Sequence, residues 1–318
     1  MPDVTRRHGP PLWVLSLVTL FLFVVWSNSF VAMSFLLGAE KAAQWLDWVE
    51  LTVARFVTAG TVAGAYCFVG HRRACLHVLR TYPLRLLSCA LLVVPTYNLA
   101  LYYAEEHGVS PPIASLTTAL VPLFVMVLSA LFLAEPLTRR RLAGLAIAFA
   151  GMLLIATARG SLSTGYPWLI ALTAVAPVCW SLYSVISKPV TAHVPPLLWS
   201  YLTLALGALF VLPGLPHAWP RLRALDGAGI AAVLYLALPC AVLGNALWTW
   251  LLRHLPASTV GFSVFLNPPL TTLSKWCLAL FLPSVFAFSV VGREVAGAGV
   301  CLLGMWIALS RWSLSWPP

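Results

Sequence analysis

From residue 12 onward the chain alternates between long apolar runs and short polar or basic breaks. The runs are too long for strands, and a helix needs about 20 apolar residues to cross hydrocarbon. Ten candidate spans emerge, at roughly 12–37, 47–69, 84–104, 111–134, 141–158, 166–187, 196–213, 230–252, 258–282 and 294–312. The first follows Arg6 and Arg7, but WSNSFVAMSFLLGAE continues its apolar run without a small-x-small cleavage site. It is expected to be a retained helix rather than a signal peptide. The predicted fold class is an all-α polytopic membrane protein.

Composition supports that solvent. Of 318 residues, 61% are hydrophobic and 9% charged, and mean hydropathy is +0.91. A soluble domain carries about 25% charged residues. The net charge of +10 invites a nucleic-acid reading, which its distribution answers. With the N-terminus in the cytoplasm, the inner segments hold Arg6, Arg7, Arg72, Arg73, Arg80, Arg85, Arg139, Arg140, Arg141, Lys188, Arg253 and Arg311. The outer ones hold only Lys41, Arg159, Arg221, Arg223 and Arg293. That inner excess is what the positive-inside rule predicts, so the expected surroundings are the lipid bilayer of the cytoplasmic membrane and not nucleic acid. Both termini are expected to be cytoplasmic. The seven cysteines are scattered, mostly within spans, and form neither a CxxC pair nor a disulfide framework.

The pattern also repeats. At one constant offset Asn98 falls on Asn245, His107 on His254, Pro122 on Pro269 and Pro136 on Pro283. A slightly larger offset lays RRLAGLAIAFAGM (140–152) on REVAGAGVCLLGM (293–305), pairing Gly144 with Gly297 and Gly151 with Gly304. Trp26-Ser27 likewise overlies Trp180-Ser181. The matches keep their order, which points to duplication. The expected organisation is a tail at 1–11, a first repeat at 12–158 and a second at 166–312. Five spans per copy make the second enter from the opposite side, and inverted repeats place transporter sites near the midplane at their interface. Pro122, Pro268 and Pro269 then read as symmetric breaks, tolerated at depth only where protein or water satisfies the freed backbone.

The string LTTALVPLFVMVLSALFLAEPLTRRRLAGLAIAFAGMLLIA (116–156) resembles the EamA family of the drug/metabolite transporter superfamily. The resemblance rests on Pro122, Ala134-Glu135, Leu137-Thr138, Gly144 and Gly151, with WSNSFVAM (26–33) and ARFVTAG (54–60) matching first- and second-helix signatures. It covers about 12 to 312 and is closer in the first half; Leu282 stands where the second copy's Glu is usual. The resemblance implies a ten-helix carrier that moves small metabolites or drugs, often outward.

Intramembrane charge carries the sharpest chemistry. Lys275, in LNPPLTTLSK, lies about 10 Å inside its helix and Arg55 roughly 12 Å inside its own. Each either satisfies itself by snorkelling or on backbone carbonyls, or faces a pathway. The guanidinium fork suits an anionic group. The expected cavity set adds Trp26, Asn28, Tyr97, Asn98, Trp180, Tyr183, Asn245, Trp248 and Asn267. Glu106, His107 and Glu135 are candidate gate or coupling groups. No HExxH, GxSxG or Walker A motif is present, and His71, Cys75 and His77 sit in a segment read as a basic loop, unfit to hold a cation. No enzyme activity, cofactor or metal is expected. The function predicted is a secondary carrier of a small, amino-acid-like solute, working outward by alternating access. The alternatives are an intramembrane or lipid-modifying enzyme, or a carrier of nucleotide-sugars or organic cations.

Overall fold

The computed structural model describes residues 9–37, 45–107, 109, 116–158, 167–281 and 291–310. Among them the regular elements are all helical. They are α1 (Leu12–Leu36), α2 (Trp48–Ala65), α3 (Arg72–Thr81), α4 (Pro83–Leu91), α5 (Tyr97–Glu106), α6 (Val121–Leu133), α7 (Arg139–Ala156) and α8 (Pro167–Thr173). The second half continues with α9 (Val175–Thr191), α10 (Pro196–Val211), α11 (Leu215–Arg223), α12 (Gly227–Tyr235), α13 (Gly244–His254), α14 (Ala257–Phe262), α15 (Asn267–Phe281) and α16 (Gly292–Leu309). Wider π-helical turns join α4 to α5 (Leu92–Thr96) and α12 to α13 (Leu236–Leu243), and a 3₁₀ turn (Ser263–Leu266) joins α14 to α15.

Eight helical stretches among the described residues are long and apolar enough to cross a membrane. The two other expected spans differ for visible reasons. α7 opens on three arginines, and the 258–282 run is divided by the 3₁₀ turn, leaving α15 with 15 residues. Two segments read as loops are helical instead. α3 carries the basic 72–80 stretch and α11 occupies much of 214–229, because regularly spaced apolar residues within them have a core to pack on. Lys188, read as an inner-loop residue, lies within α9; its ammonium donates to the carbonyls of Leu252 (2.5 Å) and Leu255 (2.7 Å), capping the end of α13.

Helix starts follow local chemistry. Asp47 and Glu50 form a reciprocal capping box on α2, Thr138 caps α7, and Asp226 caps α12. The large side chains Trp199, Trp248, Tyr102 and Tyr183 are fully buried, whereas Trp13, Leu131 and Phe132 point outward with more than half their surface exposed. In a multi-pass chain that outward apolar surface faces lipid.

The most extensive helix pair is α7 with α16. They run antiparallel along a glycine seam, Gly144 facing Gly304 and Gly151 facing Gly297. A Cβ on Gly151 would lie 2.5 Å from the Cys301 nitrogen and 2.6 Å from the Gly297 carbonyl. Small residues therefore let the backbones touch, the usual basis of helix association in lipid. α2 packs on α10 with Gly60 against Ala208; α1 packs on α15 and α6 on α9.

Candidate functional site

Two prolines shape the walls of a central cavity. Pro95 lacks an N–H and crowds the preceding turn, and the backbone there adopts the π-helical turn Leu92–Thr96. Asn98, just beyond, donates its side-chain amide to the carbonyls of Val93 (3.0 Å) and Val94 (2.8 Å). A second proline-containing π-helical turn also precedes an asparagine. Pro239 lies in the turn Leu236–Leu243, and Asn245 donates to the Ala241 carbonyl at 2.8 Å. The Cys240 carbonyl in that turn accepts the indole N–H of Trp26 at 3.0 Å. Gly244 makes this approach sterically allowed, since a Cβ there would strike the Trp26 indole.

The cavity measures about 100 Å³. Seven residues expected from the sequence line it: Trp26, Arg55, Tyr97, Asn98, Trp180, Asn245 and Asn267. One wall is aromatic. Trp26 meets Trp180 edge to face with ring centroids 5.4 Å apart, and Tyr97 lies 5.8 Å from Trp180. The polar side is built around Arg55, whose guanidinium donates to the Tyr102 hydroxyl at 2.7 Å. Three buried polar atoms of lining residues have no hydrogen-bond partner among the described residues: Arg55 Nε, Asn245 Oδ1 and Asn267 Oδ1. Such atoms are costly to leave unmade, so a polar guest that satisfies them is favoured.

Other expected residues stand elsewhere. Trp248 and Tyr183 form the layer behind the aromatic wall, with Trp248 at 5.5 Å from Trp26 and Tyr183 at 5.5 Å from Trp180. Trp248 donates to the Ser184 hydroxyl at 3.0 Å. Asn28 turns back on its own helix, donating to the Val24 carbonyl at 2.8 Å. Lys275 belongs to α15, and its side chain lies outside the described residues, as do Leu282 and the segment around it. Pro122 sits in the first turn of α6, and Pro268-Pro269 in the first turn of α15. Helix starts tolerate proline because their N–H groups are unpaired anyway. The interruption of the ninth run therefore falls just upstream, at Ser263–Leu266.

The candidate gate residues hold helix ends. The Glu106 carboxylate accepts the Trp48 N–H at 3.0 Å at the start of α2. His107 stacks on Tyr103 with centroids 3.9 Å apart. Glu135 accepts the N–H groups of Ala257 (2.7 Å) and Ser258 (3.0 Å) and the Ser258 hydroxyl, bridging the end of α6 to the start of α14. Asp47, Glu50 and His217 bring three ligand-type atoms within 4.8 Å, but Asp47 and Glu50 serve the α2 cap and His217 pairs with Asp47 at 2.9 Å.

Sequence reading missed Tyr102, Ser29, Met33, Phe56, Thr118 and Cys240 in the lining. The Arg55–Tyr102 bond spans separate helices, and no local pattern announces it. A polar residue one turn from Asn98 was the available signal for Tyr102.

Comparison with known proteins extends the picture. The profile of the EamA-like transporter family matches residues 12–157 and again 167–310. An uncharacterised transporter of Archaeoglobus fulgidus is 26% identical over 302 residues, covering 94% of this chain and 99% of the relative. A protein of Streptantibioticus cattleyicolor named "probable terminal-alkyne amino-acid exporter" is 29% identical, covering 92% of both chains. A Salmonella typhimurium protein named "probable amino-acid metabolite efflux pump" is 28% identical over 65% of this chain and 70% of its own. Among solved structures, one crystal structure superposes with a TM-score of 0.71 at 24% identity, covering 95% of this chain and 99% of that one; this likeness bears on the fold.

Proposed function

The chain belongs to the EamA-like transporter family, and from that premise we propose that it is a secondary carrier exporting a small organic solute by alternating access. The observation that carries this reading is the cavity itself. Its lining combines Trp26, Arg55, Tyr97 and Asn98 from the first half with Trp180, Asn245 and Asn267 from the second, around buried polar atoms that lack partners.

The wider proposal is ten membrane helices in two inverted five-helix repeats, 12–158 and 166–312. Helix packing supports it, because pairings between the halves come in matched sets. α1 on α15 is matched by α9 on α6, and α2 pairs with its own counterpart α10. In the α7–α16 seam each glycine faces the equivalent of its neighbour, Gly144 meeting Gly304 and Gly151 meeting Gly297. An antiparallel pair related by a two-fold axis has this register. Equivalent residues Trp26 and Trp180 also meet at the cavity, as residues near such an axis must. Rocking one half against the other would open the cavity to each side in turn. The relatives named for amino-acid export favour an amino-acid-like cargo.

Counterflow in proteoliposomes tests the reading. Vesicles preloaded with the right unlabelled solute should accumulate the labelled form transiently and saturably. Flux that rises linearly with concentration would indicate a channel, and chemical conversion of the solute an enzyme; either result overturns the carrier.

A further inference from the structure

We propose that α3 and its two flanks form a docking surface for anionic phospholipid headgroups, held by Arg72, Arg73, Arg80 and Arg85. The proposed orientation assigns the surface to the cytoplasmic leaflet, but the lipid preference depends on neither that orientation nor the carrier reading.

Position comes first. α3 lies between two helical stretches of membrane length, Trp48–Gly70 and Pro83–Glu106. With 10 residues it extends about 15 Å, far short of the hydrocarbon thickness. It therefore belongs at the boundary where one span leaves the bilayer and the next enters. Its two faces differ. Cys75 and Val78 join the apolar core, where α3 packs on the π-helical turn Tyr66–Gly70, on α4 and on α10. Arg72, Arg73, Leu76, His77 and Arg80 are exposed, and their spacings of three, four and seven keep them on one side of the helix. The chain beyond adds Arg85, exposed in the first turn of α4.

The charge of this face is unanswered. No Asp or Glu occurs between Glu50 and Glu105, and among the described residues no ion pair or hydrogen bond engages the four arginine side chains. Other basic groups on the same proposed side are committed inside the protein. Arg140 donates to the Ile307 carbonyl at 2.8 Å, Arg141 to the Pro136 carbonyl at 3.0 Å, and Lys188 to the end of α13. The partner that suits the α3 face is an anion, and apolar groups on either side say where that anion sits. Phe68 (63% exposed) and Val69 (89%) close the preceding turn, and Leu84 (77%) stands at the start of α4. An interfacial segment lies in a leaflet in this way, its apolar groups among acyl chains and its cations at the phosphates. The guanidinium fork takes a phosphate through paired charged hydrogen bonds, and a basic cluster of this size beside a span draws acidic lipid. Nucleic acid would answer the charge but leave Phe68, Val69 and Leu84 unmet.

The test titrates the full chain in detergent with phosphatidylglycerol and with phosphatidylcholine of the same acyl chains, bound lipid being counted by native mass spectrometry. Phosphatidylglycerol should bind at least about fivefold more tightly, with the preference shrinking as salt rises. Arg72→Gln, Arg73→Gln and Arg80→Gln together should weaken phosphatidylglycerol at least about fivefold and leave phosphatidylcholine unchanged, whereas Arg→Lys at the three positions keeps most of the affinity. A merely structural role would not separate the two lipids. Arg80→Gln alone should weaken phosphatidylglycerol about twofold. Arg253→Gln, which removes one equal charge from an exposed site on α13, should not. Should the triple variant fail to fold, the wild-type comparison and this single-charge pair decide. Equal affinity for the two lipids, an unaltered triple variant, or equal losses from Arg80→Gln and Arg253→Gln overturns the surface. So does a single-stranded oligonucleotide retained more tightly than phosphatidylglycerol, which would make the face a nucleic-acid site, or glycerol phosphate matching the lipid, which would make it a site for soluble phosphate. A chain that prefers phosphatidylglycerol as described yet shows no counterflow would sink the carrier and leave this surface standing.

Discussion

At residue scale, the end of α6 shows how one strained position serves a distant contact. Ala134 has φ 54°, the positive-φ non-glycine residue among those described, and terminates its helix in the left-handed region. A Cβ there costs about 1–2 kcal/mol, whereas glycine takes this cap position freely. Ala134→Gly should therefore stabilise the protein by about 1 kcal/mol, read as a higher midpoint of thermal unfolding in detergent. The turn aims Glu135 at the start of α14, where its carboxylate takes the Ala257 and Ser258 N–H groups. Glu135→Ala leaves those donors unmet and should cost about 1–3 kcal/mol. A lowered unfolding midpoint with unaltered equilibrium affinity for the solute is the expected pair of measurements. Sequence pattern offered Glu135 as a candidate gate or coupling group, but its partners lie at the start of α14, far along the chain.

At the scale of elements, the glycine seam makes the firmest prediction. A methyl group on Gly151 would meet backbone atoms of α16 rather than a movable side chain, so Gly151→Ala must separate the two helices. Overpacking of this kind costs about 1–3 kcal/mol or more. Gly299 lies on the same α16, and a methyl group added there would have nothing within 4 Å. Gly299→Ala should therefore stabilise by up to about 1 kcal/mol through helix propensity. Opposite signs for two Gly→Ala changes at this one helix pair, measured by thermal unfolding with size-exclusion recovery, are expected. The regular Gly spacing was legible in the sequence; which glycines face backbone was not. The π-helical turns at Pro95 and Pro239 were equally hidden, since a membrane-buried proline permits a kink, a helix start or a widened turn. Neighbouring helices choose among them.

For the molecule as a whole, orientation is the property that charge decides and packing then exploits. The proposed topology puts Arg139 on the cytoplasmic side and Arg221, in α11, on the outer side. Cysteines introduced at these two positions, in a background lacking Cys277, should behave differently toward a membrane-impermeant maleimide. Arg221→Cys should label in intact cells and Arg139→Cys only after permeabilisation. The six other cysteines are buried and should give little background. The reverse labelling pattern would invert the molecule and make the proposed exporter's inner face its outer one.

The sequence by itself determined the solvent, the helical class and the family, because apolar runs of membrane length leave few other solutions. It also singled out Arg55, Trp26, Trp180, Asn98 and Asn245 through charge at depth and internal repetition, signals that are written locally. Tertiary structure alone decided that these side chains share one cavity, that Tyr102 meets Arg55, and that Asn28 and Trp248 do not reach the lining. It also decided that Glu135 and Lys188 serve helix ends. Apart from Asn28, which turns back on its own helix, each of those outcomes depends on contacts between helices far apart in the chain. In lipid such contacts are selected by close packing and by the need to satisfy buried polar atoms, and neither leaves a periodic trace in the order of residues.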